Sequence, residues 1–508
     1  MLPVPMNSRV VLYASSSLLT LALLQRLWSS SKGPKKHRPP SPWSLPAFGN
    51  LLSIPSGMEH IAFMELGKQL NSDIIYLRLF GYDFVVLNSA QAATDLLEKR
   101  SRLYSDRLSP PMCTAPSLMD WSGNISLLGY NDHWRHQRRM FSNWLNSRAV
   151  TQFNQLQERQ ARLMLQRLIN VAGDPQPFEK VKRALFRNAA SSTLQLAYGY
   201  SLQDDDDPIF HNLDQLAHIG ASAAMFTNFF VNIFPSLIYV PNWFPGTGWK
   251  RTAREWRALK DRAQTLPYEW TKAHLVAGTA QPSILSMLLQ DHSLTSNLSV
   301  TEKEHRLKEL TSMIVAGRSS AGTDTTATTL ISFVAAMVLN PYVQAKAQEL
   351  PYVWNLVQEV LRWQPAAPTG VPHLCWQDDL YKGYDIERGT IIVGNIWAMT
   401  RDESVYKDPE VFNPDRFLDP TVPPAPAFRW GRRKCPGIYF AEASLFITAA
   451  SLLSTFTFSK KRDSYGREIV PQLEGESNSV VVELKPFEFE LELRSEKHHQ
   501  LIMEHNNV

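Results

Sequence analysis

Cys435 is the residue in the sequence whose surroundings point most clearly to chemistry. It lies in FRWGRRKCPG at residues 428–437, directly before an apolar helical segment. The pattern predicts that Pro436 takes the first helical position, where its missing N–H costs no hydrogen bond. A helix N-terminus and the three preceding basic residues favour a thiolate, the form of cysteine that binds metals. A buried, inert thiol is the alternative for a single cysteine in such a place.

A second candidate site is AGTDTT at residues 321–326, which lies in a stretch with helical apolar spacing. Ala321 and Gly322 leave space beside the helix, and Thr325 can bond back to a carbonyl and open a local distortion. Plain helix packing is the alternative interpretation of this patch of small residues.

Glu359, Arg362 and Arg416 form a third pattern, made of charged residues. Glu359 and Arg362 are three positions apart in a helix and therefore share a face. On its own this spacing also describes many solvated surface pairs. Arg416 follows in PDRF, between that helix and the cysteine loop.

The spacing F-x-x-G-x-R-x-C-x-G around Cys435 resembles the haem-binding loop of the cytochrome P-450 family. The motifs AGTDTT, E-x-x-R and PDRF precede the loop in the order which that family requires, and HWRHQRRMF fits its W-x-x-x-R pattern. The resemblance covers about residues 39–493. The sequence is most similar to fungal secondary-metabolite members, in the branch of the O-methylsterigmatocystin oxidoreductase-like enzymes.

The resemblance implies a role for each motif. Cys435 is the expected thiolate ligand of haem b iron, and Asp324 with Thr325 the acid–alcohol pair that relays protons to bound oxygen. The remaining expected haem contacts are Trp134, Arg138, Ala321, Gly322, His373, Phe428, Gly431, Arg433 and Gly437.

The same resemblance turns the charged pattern into a structural prediction. Glu359, Arg362 and Arg416 are expected to form a buried, charge-assisted triad that braces the loop carrying Cys435. A planar guanidinium suits such bidentate contacts better than an ammonium group does.

The implied activity is insertion of one oxygen atom into an unactivated C–H bond of a hydrophobic small molecule such as a terpenoid or polyketide. Because the chain has no flavin or nicotinamide motif, electrons are expected from an NADPH-cytochrome reductase. A basic face is the predicted docking site, and a scattered basic surface is the alternative. The residues of that face are Arg135, Arg139, Arg432 and Lys434.

Two other functional classes compete with a monooxygenase. A haem-thiolate isomerase or dehydratase needs no external electrons, but the intact Asp324–Thr325 pair argues against it. A non-catalytic haem binder is the third possibility, because Glu349–Leu350–Pro351 marks an apparent deletion and the stretch 417–428 is also short.

The apolar spacing predicts a mainly helical chain with small sheets, which is the α+β class, and the resemblance implies the P-450 fold. A hairpin is expected over 74–87 with its turn at Gly81, and a long helix over 307–339. Strands are predicted near 380–393 and again at 480–484 and 487–493. The aromatic stretch 226–249 is either core or a lid that dips into a bilayer. The expected substrate-pocket segments are 109–129, 226–234, the helix near Ala321, and 366–371.

Composition sets the class and the compartment. A net charge of +4 over 508 residues is too mild to indicate nucleic-acid binding. Three cysteines without C-x-x-C spacing argue against a disulfide framework and a structural zinc site, and favour a reducing compartment. The protein is expected to act as a monomer.

The N-terminal region predicts a single-pass membrane anchor at residues 10–28, with a cleaved signal peptide as the alternative. Basic residues after the span outnumber the single Arg9 before it, so the catalytic domain is expected on the cytosolic side of the endoplasmic reticulum. The predicted divisions are a lumenal N-terminus at 1–9, the anchor, a basic, proline-rich linker at 29–50, a haem-thiolate domain at 51–495 and a polar tail at 496–508.

Overall fold

The computed structural model describes residues 36–46, 48–204, 206–291, 293–315, 322–348, 352–476 and 480–504. The predicted lumenal segment, the anchor and the first part of the linker lie outside these ranges. So do Ala321 and the apparent deletion at 349–351.

The described chain is dominated by helices, as the apolar spacing predicts. Helices of at least two turns are α1 (Glu59–Gln69), α2 (Asp132–Leu145), α3 (Asn154–Ile169), α4 (Phe178–Tyr198), α5 (Pro208–Ala224), α6 (Gly248–Val276), α7 (Ile284–Gln290), α8 (Val300–Val315), α9 (Gly322–Leu339), α10 (Pro341–Ala347), α11 (Val353–Trp363), α12 (Ile438–Thr455) and α13 (Glu496–Glu504). Single-turn helices lie at Ala90–Ala93, Ser101–Tyr104, Pro111–Thr114, Phe230–Ile233 and Ile396–Met399.

The strands form three small sheets. They are β1 (Ile74–Leu79), β2 (Tyr82–Leu87), β3 (His373–Leu374), β4 (Asp379–Tyr381), β5 (Tyr384–Ile386), β6 (Ile391–Gly394), β7 (Phe456–Ser459) and β8 (Glu490–Leu493). The largest sheet has the order β1-β2-β6-β3; β4 pairs with β5, and β7 with β8. The predicted hairpin is confirmed, since β1 and β2 are antiparallel and Gly81 has a φ of 89°.

Two sequence predictions about elements need correction, and the long helix is tested only over its described parts. Residues 480–484 form no strand; an isolated bridge from Leu484 to Gly475 is the contact there. The helix predicted over 307–339 is described as α8 and α9, with residues 316–321 between them undescribed. The helix after Cys435 begins at Ile438, so Pro436 lies in the preceding turn and not at the first helical position.

The core that supports the site is built around two apolar helices. Almost all side chains of α9 are buried, which explains why the helix is hydrophobic on every face. Next to it, α12 packs against α3, α9 and α11. Within the described residues, α12 has the length and apolarity of a membrane span. The bent pair of α9 and α10 would also have them if the two helices were counted as one span. Burial in the core accounts for the same composition.

The predicted polar tail is a helix for most of its described length. α13 packs against α3 and α12, and Gln166 of α3 donates a hydrogen bond to the carbonyl of Ile502. The end of the chain therefore continues the domain surface through residue 504.

Candidate active site

Cys435 borders a cavity between the loop that carries it, the C-terminal half of α2, and the facing parts of α8 and α9. Most of its wall is apolar, including Phe141, Leu196, Met313, Ile314, Leu361 and Phe428. Polar groups enter from Thr325 on α9 and from four arginines. The cavity thus places a sulfur opposite a hydroxyl group, between largely hydrophobic walls.

The backbone around Cys435 is fixed by a short loop. Its N–H donates to the carbonyl of Phe428 at 3.0 Å, which folds 428–435 into a bulge. Gly431, inside this bulge, has a φ of +53°, and a Cβ there would lie 2.3 Å from the carbonyl oxygen of Leu97. Glycine is therefore required by both conformation and space.

The charge environment of the sulfur differs from the sequence expectation. Burial raises the pKa of the Cys435 thiol, whereas a hydrogen bond from the Gly437 N–H and the charges of Arg429 and Arg138 lower it. Arg433, although two residues away, instead donates three hydrogen bonds to backbone carbonyls. The cations that act on the sulfur therefore come from the start of the loop and from α2.

Four arginines around the cavity share an unusual environment: Arg107, Arg138, Arg429 and Arg433. Burial lowers the pKa of each of them, to about 9 for Arg433. Among the described residues, no carboxylate forms a salt bridge with any of the four. The charge of Asp106 raises the pKa of Arg107 and Arg433 without a salt bridge to either, so cations placed in this way are only partly neutralised and favour a further anion.

The predicted triad is assembled as expected. Arg362 binds both carboxylate oxygens of Glu359 at 2.8 Å, and the Nε of Arg416 lies 3.1–3.2 Å from the same oxygens. Glu359 also accepts the backbone N–H of Asn413, and Arg362 donates to the carbonyls of Thr400 and Pro409. The triad thereby ties α11 to the segment 400–416 that leads into the cysteine loop.

Thr325 of α9 also lies in the cavity wall, and its neighbour in the chain, Asp324, is buried. The hydroxyl of Thr329 donates to the carbonyl of Thr325 at 2.7 Å. Thr323 contacts the carbonyl of Val315 and the hydroxyl of Thr193, and so connects the start of α9 to α8 and α4.

Comparison with known proteins agrees with this geometry. A family model described as Cytochrome P450 matches residues 39–490. A tryptamine 4-monooxygenase of Psilocybe cyanescens is 34% identical over 85% of this chain and 88% of its own length. Cytochrome P450 monooxygenase 98 of Postia placenta is also 34% identical, over 92% and 91%. A solved zebra fish cytochrome P450 with abiraterone shares the fold, with a TM-score of 0.68 at 20% identity, covering 87% of this chain and 99% of that chain.

The chain belongs to the cytochrome P450 family. It is an oxidoreductase of the monooxygenase type, with haem held by a cysteine thiolate, a reductase as redox partner and a small-molecule substrate. The prediction of the P-450 fold, helix-rich with small sheets, is confirmed.

The residues around the cavity fit a haem group. Haem presents an iron, an apolar ring and two carboxylates; the cavity offers one thiol, apolar walls and four cations without carboxylate partners. Cys435 is the cysteine that meets this demand, because Cys113 is buried in the core and Cys375 donates to the carbonyl of Gln377. Cys435 would hold the iron and the arginines would hold the carboxylates.

The structure places the predicted haem contacts in two groups. Trp134, Arg138, Phe428, Arg433 and Gly437 line the cavity. His373 and Gly431 do not line it.

The two residues outside the wall have structural contacts. His373 bonds the carbonyl of Tyr104 at 2.6 Å, and burial together with Arg107 holds its pKa well below the usual range. Gly431 shapes the loop, and its N–H donates to Glu98. Gly322 starts α9, and Ala321 lies outside the described residues.

Two cations of the cavity wall, Arg107 and Arg429, were not predicted from the sequence. Arg107 donates to the carbonyls of Val371, the last residue of the predicted pocket segment 366–371, and of Pro372. Arg429 occupies a variable position inside the cysteine motif, so no pattern singled it out. Of the predicted pocket segments, 109–129 and 366–371 contribute Ile125, Ser126, Ala366 and Ala367, and the described residues of 226–234 contribute none.

Proposed function

We propose that this protein is a membrane-anchored P450 monooxygenase that oxidises a hydrophobic small molecule, such as a terpenoid or polyketide, in fungal secondary metabolism. The observation that carries the proposal is the apolar cavity between Cys435 and Thr325. An apolar pocket with few polar groups favours an apolar ligand, since burying unpaired polar groups is unfavourable.

The protein's own residues would orient the substrate and deliver protons. Thiolate-bound haem supplies the activation of molecular oxygen. The hydroxyl of Thr325 is in the cavity wall, where it can pass protons at Oγ1, and Asp324 is the adjacent acid. The bond from Thr329 to the Thr325 carbonyl holds that turn of α9 in place.

The reductase would dock where a groove opens from the surface toward Cys435. Arg139 and Lys434 line this groove and are exposed, together with Tyr439. Nearby, Arg135 and Arg432 both lie over the ring of Tyr130, at 4.7 and 5.0 Å from its centroid. A fixed group of cations of this kind attracts an acidic partner and steers its approach.

Membrane contact would involve the turn of the β1–β2 hairpin and two exposed apolar segments beside it. Phe48 contacts Phe80 in the turn, and Tyr82 contacts Phe226 and the carbonyl of Ile233. The segment after Ile233 exposes Tyr239 by 87% and Trp243 by 81%. Aromatic side chains at a surface are typical of the membrane interface. This supports the endoplasmic-reticulum location with the anchor at residues 10–28.

The central test is spectroscopic and chemical. The reduced, carbon monoxide-bound protein should show the red-shifted thiolate band, and Cys435→Ala should remove it. Expression with a reductase and candidate substrates should give oxygenated products that require both NADPH and oxygen. Turnover without either would favour the isomerase or dehydratase class instead, and a thiolate band without any turnover would favour a haem binder.

Two further experiments separate partner from membrane. Arg139→Glu with Lys434→Glu should weaken reductase-supported turnover more than Arg462→Glu, an exposed change outside the groove, while leaving the carbon monoxide spectrum intact. Equal effects would contradict the docking site. Full-length protein should resist alkaline carbonate extraction from microsomes, and a chain starting at residue 29 should not; extraction of both would contradict the anchor.

A further inference from the structure

Arg429 has a backbone conformation that an arginine adopts at a cost. Its φ is +70°, in the left-handed region where the Cβ of an L residue crowds the following carbonyl and where glycine is unstrained. The conformation is imposed by the loop, because Arg429 N–H donates to the carbonyl of Pro426 and Phe428 accepts from Cys435. Strain of this kind persists where the surrounding structure holds it in place, and it is concentrated at functional sites.

The side chain of Arg429 is in the cavity wall without a partner. No described residue accepts a hydrogen bond from its guanidinium or forms a salt bridge with it. The side chain passes against Gly370, where a Cβ would lie 3.2 Å from the Nε of Arg429. Glycine at 370 thus leaves room for the guanidinium between the cysteine loop and the segment that precedes His373.

The charge of Arg429 acts on Arg107, on His373 and on the sulfur of Cys435. Its charge lowers the pKa of both Arg107 and His373, and it also lowers the pKa of the Cys435 thiol. Arg429 therefore lies within electrostatic range of the sulfur and of the Arg107–His373 group. An anion at this point would relieve the repulsion between Arg429 and Arg107.

Arg433 and Arg107 both use donors on backbone carbonyls, although the Nε of Arg107 has no partner among the described residues. Arg433 uses Nε, Nη1 and Nη2 for the carbonyls of Ser105, Ile125 and Leu128. Arg107 uses Nη1 for those of Val371 and Pro372. The guanidinium of Arg429 retains all of its N–H groups, in the fork geometry that matches a carboxylate.

We propose that Arg429 binds a carboxylate of the haem group, and that the loop keeps a strained arginine at this position for that contact. The alternative is that the side chain of Arg429 only fills space in the cavity and contacts no anion. The proposal needs haem and is independent of the substrate class, the membrane and the reductase surface proposed above.

Arg429→Gly is the decisive variant, because it removes both the strain and the charge. The matched control is Lys382→Gly, which relieves a similar φ of +49° in the exposed β4–β5 turn. Both variants should raise the melting temperature of the haem-free protein. Arg429→Gly alone should raise the dissociation constant for haem, by about tenfold for one lost charge-assisted hydrogen bond, measured by absorbance titration.

A second pair of variants keeps the test independent of folding. Arg429→Asn tolerates the left-handed backbone but has no charge, and Arg429→Lys keeps the charge without the fork. Haem affinity should fall in the order arginine, lysine, asparagine, and the haem reduction potential should fall with loss of the charge. Unchanged haem affinity and potential in Arg429→Gly and Arg429→Asn would overturn the proposal and leave Arg429 as a filler of space.

Discussion

Two sets of arginines in this protein are held in opposite ways. In the triad, Arg362 and Arg416 share the carboxylate of Glu359, and the spare N–H groups donate to backbone carbonyls. Around the cavity, Arg107, Arg138, Arg429 and Arg433 have no carboxylate partner among the described residues. The first set is complete within the polypeptide, and the second would be completed by the carboxylates of the haem group.

The difference shows which part of the molecule can form before haem binds. A buried ion pair with satisfied hydrogen bonds is self-sufficient, but buried cations without a counterion oppose folding. The triad can therefore brace α11 and the segment 400–416 in the haem-free chain. The cavity side gains its full stability only with the anionic ligand, so haem binding contributes to folding as well as to catalysis.

The largest effect is expected when the triad of Glu359, Arg362 and Arg416 loses its carboxylate. Glu359→Gln keeps the shape but leaves two buried arginines without a counter-charge, which should destabilise the protein by about 3–5 kcal/mol. Denaturant unfolding of the haem-bound protein measures the loss, and the carbon monoxide spectrum should show less intact thiolate ligation.

The control is Glu304→Gln, which removes a carboxylate from a surface-side pair with Lys308 and should cost less than about 1 kcal/mol. If the two variants were equally stable, the triad would not be the brace between α11 and the loop.

An intermediate effect is expected when an inorganic anion binds to the cavity arginines of the haem-free protein. Sulfate should stabilise the haem-free protein by about 1.4 kcal/mol at ten times its dissociation constant, through mass action on the folded state. The haem-bound protein should gain less, because its cations are already neutralised. Thermal unfolding of both forms in sulfate and in chloride at equal ionic strength measures this. Equal gains in the two forms would mean that the anion acts outside the cavity.

The same contrast explains what the sequence could predict. Glu359, Arg362 and Arg416 were predicted because their motifs stand in the order of the cytochrome P-450 family, although the E-x-x-R spacing alone also describes many surface pairs. Cys435 was predicted from the full F-x-x-G-x-R-x-C-x-G spacing of the same family. Whether the cavity residues have the roles given to them stays a prediction. Arg107 and Arg429 left no such pattern, since their counterion is not encoded in the chain and their neighbours come from distant segments. The strand predicted at 480–484 is wrong for a different reason: its backbone pairs with residues 474–476 over one bridge and two flanking hydrogen bonds, and this ladder is too short to form a strand despite the local β-propensity.

The smallest predicted effect lies beside the triad and depends on pH. His60 is buried against Trp397, and burial together with the charge of Arg401 lowers its pKa to about 4. Because the unfolded state has the ordinary value of 6.5, it binds more protons than the folded state between pH 6.5 and 4. Stability should therefore be complete above pH 6.5 and fall as the pH drops toward 4, with a loss of about 1 kcal/mol by pH 5.5.

His60→Phe isolates this contribution, because it keeps a ring beside Trp397 and cannot titrate. Denaturation curves at pH 7.5 and 5.5 should show a smaller acid-induced loss in the variant than in the parent protein, by about 1 kcal/mol. The same difference should be found with and without haem, since His60 belongs to the region whose charges are complete within the chain. A difference that appeared only in the haem-free protein would instead connect His60 to the cavity cations, and the division between the two sets of arginines would not hold.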